Sequence, residues 1–137
     1  MSKSEADNKS RIELTDTSDE IVRKIRKAVT DMKSEITYDP ENRPGVANLV
    51  QIYSLISDMT IEQVCHHFDG KSTFEFKVEL GDRLAEYLRP IRMRIIDCRN
   101  NRDYLETVLK DGSLNAIKIA EKTINEVKQT VGLNFSS

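Results

Sequence analysis

Tryptophan is absent from this chain, aromatic residues make up only 6% of it, and there are five glycines. So few aromatic and turn-forming residues argue against a sheet-rich fold. Two cysteines, Cys65 and Cys98, stand far apart in 137 residues and give no disulfide framework, which points to a reducing compartment. No apolar run has the length of a membrane-spanning helix, and the polar, acid-containing first twenty residues show no signal or transit peptide. Neither sign of charge dominates: 21 Lys and Arg face 23 Asp and Glu, for a net charge of −2. Bulk charge therefore gives no sign of a nucleic-acid partner. The catalytic patterns are missing as well. There is no Ser/His/Asp arrangement, no glycine-rich phosphate loop and no cysteine with an obvious base.

What is present is helix-forming sequence, rich in Glu, Lys, Arg, Leu and Ile, in a chain the length of one domain. Residues 1–16 are polar and aperiodic, a loop followed by a short extended piece at 11–14. Thr17-Ser18-Asp19-Glu20 is a capping box that opens a first helix. Its apolar stripe (Ile21, Ile25, Ala28, Val29, Met32) carries it to about Asp31. Asp39-Pro40 breaks the chain, and Pro44 suits the first position of a second helix reaching about Ser57. Thr60 and Gln63 form another capping box before a short third helix, which Gly70 ends. A fourth helix spans about 73–99 with Pro90 inside it. Asn101 caps a short fifth helix to about Lys110, Gly112 interrupts, and a last helix covers 113–131. The expectation is an all-α helical bundle at 17–137 behind an extended arm at 1–16.

Charge is uneven along these helices. Residues 23–33 hold Arg23, Lys24, Arg26, Lys27 and Lys33 against Asp31. Residues 83–102 hold six arginines, with Glu86, Asp97 and, at the edge, Asp82 opposing them. A phosphate backbone responds to such local potential, although a merely solvated helix face has the same pattern. Cys65-His66-His67 invites a metal reading. Successive helical residues point about 100° apart and no second ligand cluster accompanies them, so no metal site is expected there, only a half-buried helix end.

Longer stretches are more specific. Met1-Ser2-Lys3-Ser4 is followed by Arg11-Ile12-Glu13-Leu14-Thr15-Asp16, by Lys24-Ile25-Arg26-Lys27-Ala28-Val29-Thr30-Asp31, and by Ile36-Thr37-Tyr38-Asp39-Pro40-Glu41-Asn42-Arg43-Pro44-Gly45-Val46. In this order and at these spacings the chain resembles the C-terminal half of bacterial-type tryptophan–tRNA ligases, which eukaryotes use in mitochondria. Glu5 stands where that family usually has Asp, and Thr17-Ser18 where it often has Ser-Pro.

The resemblance implies that Met1, Ser2, Lys3 and Ser4 are the end of the K-M-S-K-S loop of an ATP site, cut before its first lysine, as if an internal Met had been taken as the start. No H-x-G-H signature occurs, and the tryptophan pocket would lie upstream. In amino-acid activation negative charge builds on departing pyrophosphate, and a lysine that reaches it in the transition state lowers the barrier. Lys3 would be that lysine, with Ser2 and Ser4 shaping the loop. The cosubstrate would be ATP with Mg2+ bound through its phosphates, in the full-length enzyme only. The helices would form the anticodon-binding domain, with tRNA(Trp) as partner, a homodimer as the assembly, and neither DNA nor membrane. Charge and face select Arg23, Lys24, Lys27, Arg89, Arg92 and Arg99 as tRNA contacts. Arg43 is expected to brace the turn from Asp39 instead of touching RNA. The location implied is the mitochondrial matrix, with the bacterial cytoplasm as the alternative. Two other readings stay open: a free-standing, non-catalytic tRNA-binding module, and a helical protein-interaction domain.

Overall fold

The first helix begins where local chemistry says it should. Thr17 Oγ1 accepts from the Glu20 amide at 3.3 Å, and the Glu20 carboxylate accepts from the Thr17 amide at 2.8 Å. The computed structural model describes residues 11–133, so Met1, Ser2, Lys3 and Ser4 lie outside the described residues. Within that span run five helices: α1 (Ser18–Lys27), α2 (Pro44–Ser57), α3 (Ile61–His67), α4 (Thr73–Asn100) and α5 (Arg102–Thr130). The fold is all-α, as expected, and no strand occurs among the described residues. Of the extended piece expected at 11–14, residues 11–13 have no regular structure and form no strand, and its end enters a turn over 13–16, with the Asp16 amide on the Glu13 carbonyl and the Glu13 amide on the Asp16 carboxylate.

The chain divides between Arg94 and Ile95 into two compact units. The first has a continuous core built from the buried faces of α1, α2, α3 and the first half of α4, including Ile21, Val50, Val64 and Leu80. At its centre Tyr53 of α2, Phe68 after α3 and Phe76 of α4 meet, with Phe68 edge-on to both other rings at centroid distances of 5.0 and 4.7 Å. Gly81 of α4 faces α1 so closely that a Cβ there would lie 3.2 Å from the Val22 Cα.

Two expectations fail in this unit for tertiary reasons. Helix α1 stops at Lys27, not Asp31, leaving Val29 88% exposed and Met32 fully exposed. The exit is fixed from elsewhere. Lys77, buried on α4, donates to the Ala28 carbonyl and to Thr30 Oγ1, both at 2.8 Å. Gly45, at the start of α2, sits where any Cβ would be 2.4 Å from the Val29 carbonyl oxygen. Arg43 is structural, as expected, but its object is the 31–37 segment. It is 5% exposed and donates to both Asp31 carboxylate oxygens (2.7 and 2.8 Å), the Lys33 and Glu35 carbonyls and Thr37 Oγ1. The Asp39 turn is closed by the Arg43 amide on the Asp39 carbonyl at 2.8 Å and by the Asp39 side chain accepting from Asn42, not by the guanidinium.

In the second unit, Asn101 caps α5 by accepting from the Tyr104 amide at 3.1 Å. The helix then runs unbroken through Gly112, where two helices were expected. One exposed glycine costs about 1 kcal/mol against alanine, too little to interrupt 29 residues of good helix formers. None of the residues of α5 is buried.

Candidate nucleic-acid interface

The basic residues singled out by charge separate into distinct groups. Arg23 and Lys27 lie on the outward side of α1, where they join Arg26, Asp19 and Val22 around a shallow recess of about 470 Å³ closed by Asp82 of α4. Their spacing of three and four residues places all three cations on one helix face. Each is exposed, which leaves a strongly charged, accessible ridge.

Lys24 and Arg92 are brought together, but on Asp16. The Lys24 ammonium is 2.5 Å from the Asp16 carboxylate, with both side chains nearly buried. Arg92 donates to the Asp16 carbonyl and to Ser18 Oγ, each at 3.0 Å. These two cations fasten the 16–18 segment to α1 and α4. Arg89 makes a forked contact with Glu86 one turn earlier, at 2.7 to 3.0 Å. Arg99 is exposed and belongs to the second unit.

A second polar cluster, which charge counting did not single out, lies where α2, α3 and α4 meet. Glu79 of α4 accepts from the Tyr53 hydroxyl at 2.8 Å and from His67 Nε2 at 3.0 Å, and pairs with the Lys71 ammonium at 3.4 Å. Arg83, one turn on, donates to the Tyr53 hydroxyl at 3.0 Å and covers the face of its ring. Burial pushes the Glu79 carboxyl upward, but the hydrogen bonds from Tyr53, His67 and Lys71 outweigh it and hold the group below its ordinary value. Burial, with the Glu79 carboxylate beside it, raises the Tyr53 phenol. Next to the cluster is an open groove of about 740 Å³ lined by Asp58, Met59, Glu62, Gln63, His66 and His67. The sequence signals for this region were the adjacent histidine pair, whose spacing does not suit a metal, and Arg83 at the start of the arginine-rich stretch. Among the described residues no group of three or more His, Cys, Asp or Glu side chains is arranged to hold a metal ion.

Glu79, Asp82, Arg83 and Glu86 fall on one side of α4 by helical spacing. Asp82 meets the α1 ridge and Glu79 meets His67, so ridge and groove flank one exposed stripe of α4. Cations and hydrogen-bonding groups therefore occur on both flanks of this part of α4.

The family model of class I tRNA synthetases (W and Y) matches residues 1–89. The chain belongs to this family. Within it, the curated relatives are tryptophan–tRNA ligases. That of Rickettsia conorii is 39% identical over 132 residues, covering 96% of this chain and 40% of the relative. That of Caldanaerobacter subterraneus subsp. tengcongensis is 42% identical over 137 residues, covering 97% and 40%. The crystal structure of tryptophanyl-tRNA synthetase from Mycoplasma pneumoniae superposes with a TM-score of 0.67 at 25% identity, over 98% of this chain and 41% of that one. The chain thus spans about 40% of the length of the class I synthetases it matches, and corresponds to the C-terminal part of a tryptophanyl-tRNA synthetase. These relatives are bacterial and give the expected mitochondrial location no support.

Proposed function

We propose that this chain is the tRNA-reading part of a tryptophan–tRNA ligase, which with its catalytic part activates tryptophan with ATP and Mg2+ and transfers it to tRNA(Trp). The observation that carries the reading is the α1 ridge: three exposed cations, Arg23, Arg26 and Lys27, on one face of a helix in a chain whose net charge is −2. A near-neutral protein gains little from nonspecific attraction to polyanions, so cations gathered on one face favour a localised phosphate contact. Arg26 joins Arg23 and Lys27 in this role. Arg89 and Arg99 stay with them as exposed cations, whereas Lys24 and Arg92 act by holding Asp16 and so the start of α1.

The remaining assignments follow the family. Lys3 neutralises charge on departing pyrophosphate, Met1, Ser2 and Ser4 complete that loop, and two copies assemble through the catalytic part. Residues 1–16 are the catalytic-loop remnant and linker, and 17–137 the anticodon-binding domain. The protein works where bacterial-type tRNA is charged, in the bacterial cytoplasm or the mitochondrial matrix.

Filter binding of tRNA(Trp) across a salt series tests the reading. Replacing Arg23 and Lys27 by Gln is expected to reduce the slope of log affinity against log salt by about 1.4 to 1.8, the value for two phosphates. An unchanged slope removes the ridge from the interface, and the absence of tRNA binding at low salt removes the reading as a whole. In an enzyme that contains this segment, Lys3→Ala is expected to lower the rate of tryptophan-dependent pyrophosphate exchange about a hundred- to a thousandfold.

A further inference from the structure

We propose that the groove beside His67 takes one unpaired base of an RNA loop, stacked on the His67 ring and read through its exocyclic amino group by Glu62 and Asp58. This rests on the RNA-binding reading above and specifies which part of the RNA goes where.

The His67 ring has the attributes of a stacking platform. It is held in place from behind: its Nε2 faces Glu79 Oε1 at 3.0 Å, it lies edge-on against buried Phe68 at 4.7 Å, and it stands at 25° to buried Tyr53. With Glu79 ionised, Nε2 carries the proton and donates, which fixes the orientation of the ring. Its side chain is nevertheless 42% exposed and lines the groove. A planar ring fixed on one side and open on the other is what an unstacked base packs against, and every base offers a π-face to it.

The rest of the groove has the character of a base-edge reader and not of a phosphate site. Its charged members, Asp58 and Glu62, would repel a phosphate. A carboxylate accepts hydrogen bonds, and the exocyclic amino groups of cytosine (N4), adenine (N6) and guanine (N2) are donors it fits, whereas uracil offers only its ring N3–H. Glu62 sits in the first turn of α3, where its own amide and the Thr60 hydroxyl hold its carboxyl below the ordinary value. It is therefore an acceptor at neutral pH. Gln63, on the same wall, can donate or accept.

Phosphate binding is left to the flanks. Lys71 and Arg83 stand on either side of the Glu79 contact, and the Arg23–Arg26–Lys27 ridge lies across the α4 stripe. Asp82, which closes the ridge recess, and Glu79, which contacts His67, lie one turn apart on α4, so a single strand crossing that helix can meet both. The geometry thus divides the labour: cations on α1 and α4 hold the strand, and α3 discriminates one base. A loop that pairs with the tryptophan codon UGG reads 5′-CCA-3′, and each of its three bases carries the amino group that this groove requires.

The test uses the complete chain and two RNA hairpins with the same stem, one with CCA unpaired in its loop and one with UUU. The CCA hairpin is expected to bind about tenfold more tightly, since a well-placed base-edge contact discriminates by that order. His67→Ala is expected to weaken the CCA hairpin about tenfold, while His67→Phe, which keeps the stacking face, retains most of the affinity. Because His67→Ala also removes a contact to Glu79, a second readout uses the unmodified chain. The His67 ring protons are expected to shift upfield when the CCA hairpin is added, and less with UUU. If His67→Ala binds both hairpins as the parent does, or the ring protons do not move, the groove is not the base site. If neutralising Arg23 and Lys27 weakens binding while His67 is silent, the groove alone is excluded and the tRNA reading stands. If neither hairpin binds, both fall together.

Discussion

Arg43 shows how one side chain organises a segment that has no regular structure. All its side-chain hydrogen bonds go to residues 31–37, and its carboxylate partner shows the titration consequence. The Arg43 guanidinium holds the Asp31 carboxyl down to about 2. A depressed carboxyl stabilises the fold fully above its unfolded pKa of about 4 and loses that contribution as pH falls through its folded value. Acid unfolding of the parent is therefore expected to steepen between about pH 4 and 2, and Asp31→Asn is expected to flatten that window when unfolding is followed by circular dichroism against pH. Removing the donor is more costly. Arg43→Met leaves two carbonyls, a hydroxyl and a carboxylate without their common partner. It is expected to lose about 2 kcal/mol in urea unfolding, whereas Arg89→Met, at an exposed contact one turn from its partner, stays within about 0.5 kcal/mol. Arg43 was legible in the sequence as a structural residue because Asp-rich turns call for a donor. Its target was not, since Asp31 lies twelve residues back and only the folded path of the chain brings it near.

At the level of elements, what could be read was what is local. Both capping boxes, at Thr17 and Thr60, form as their spacing dictates, because a cap involves only the next three residues. Pro44 at the start of α2 and Asn101 before α5 are legible for the same reason. The end of α1 was not, because Lys77, 49 residues on in the chain, supplies the ammonium that captures the Ala28 carbonyl. The break expected at Gly112 does not form, because glycine lowers helix stability without prohibiting helix. Two glycine variants separate these cases. Gly112→Ala has open space around it and is expected to stabilise α5 by about 0.5 to 1 kcal/mol, visible as a rise in helical circular dichroism on a temperature scan. Gly45→Ala drives a methyl onto the Val29 carbonyl oxygen and is expected to cost about 1 to 3 kcal/mol, because backbone, unlike a side-chain tip, has nowhere to turn.

On the scale of the molecule, stability is unevenly distributed. The first unit has a buried core with a three-ring centre, and α5 in the second has no buried residue. Local opening is governed by buried apolar contact. Amide hydrogen exchange is accordingly expected to be slowest in α2 and the first half of α4 and fastest in α5, by about two orders of magnitude or more; uniform protection would contradict this. The candidate interface was only half readable at this scale. Arg23 and Lys27 declared themselves by charge, but Lys24, between them in sequence, turns inward to Asp16, and one helical turn decides which of these cations faces water. His67 and Lys71 lie outside α4 and reach it only through Glu79, while Arg83 joins the cluster through the Tyr53 hydroxyl.

The contact between Gly81 and Val22 extends to the surface above it. With no side chain at position 81, the α1 backbone comes down onto α4 until the Val22 Cα limits the approach. How closely α1, which carries the arginine ridge, approaches α4 is thus limited by a hydrogen atom in the interior. A methyl there would press the helix that bears those cations outward by a few tenths of an ångström, a surface displacement made from a position that solvent does not reach.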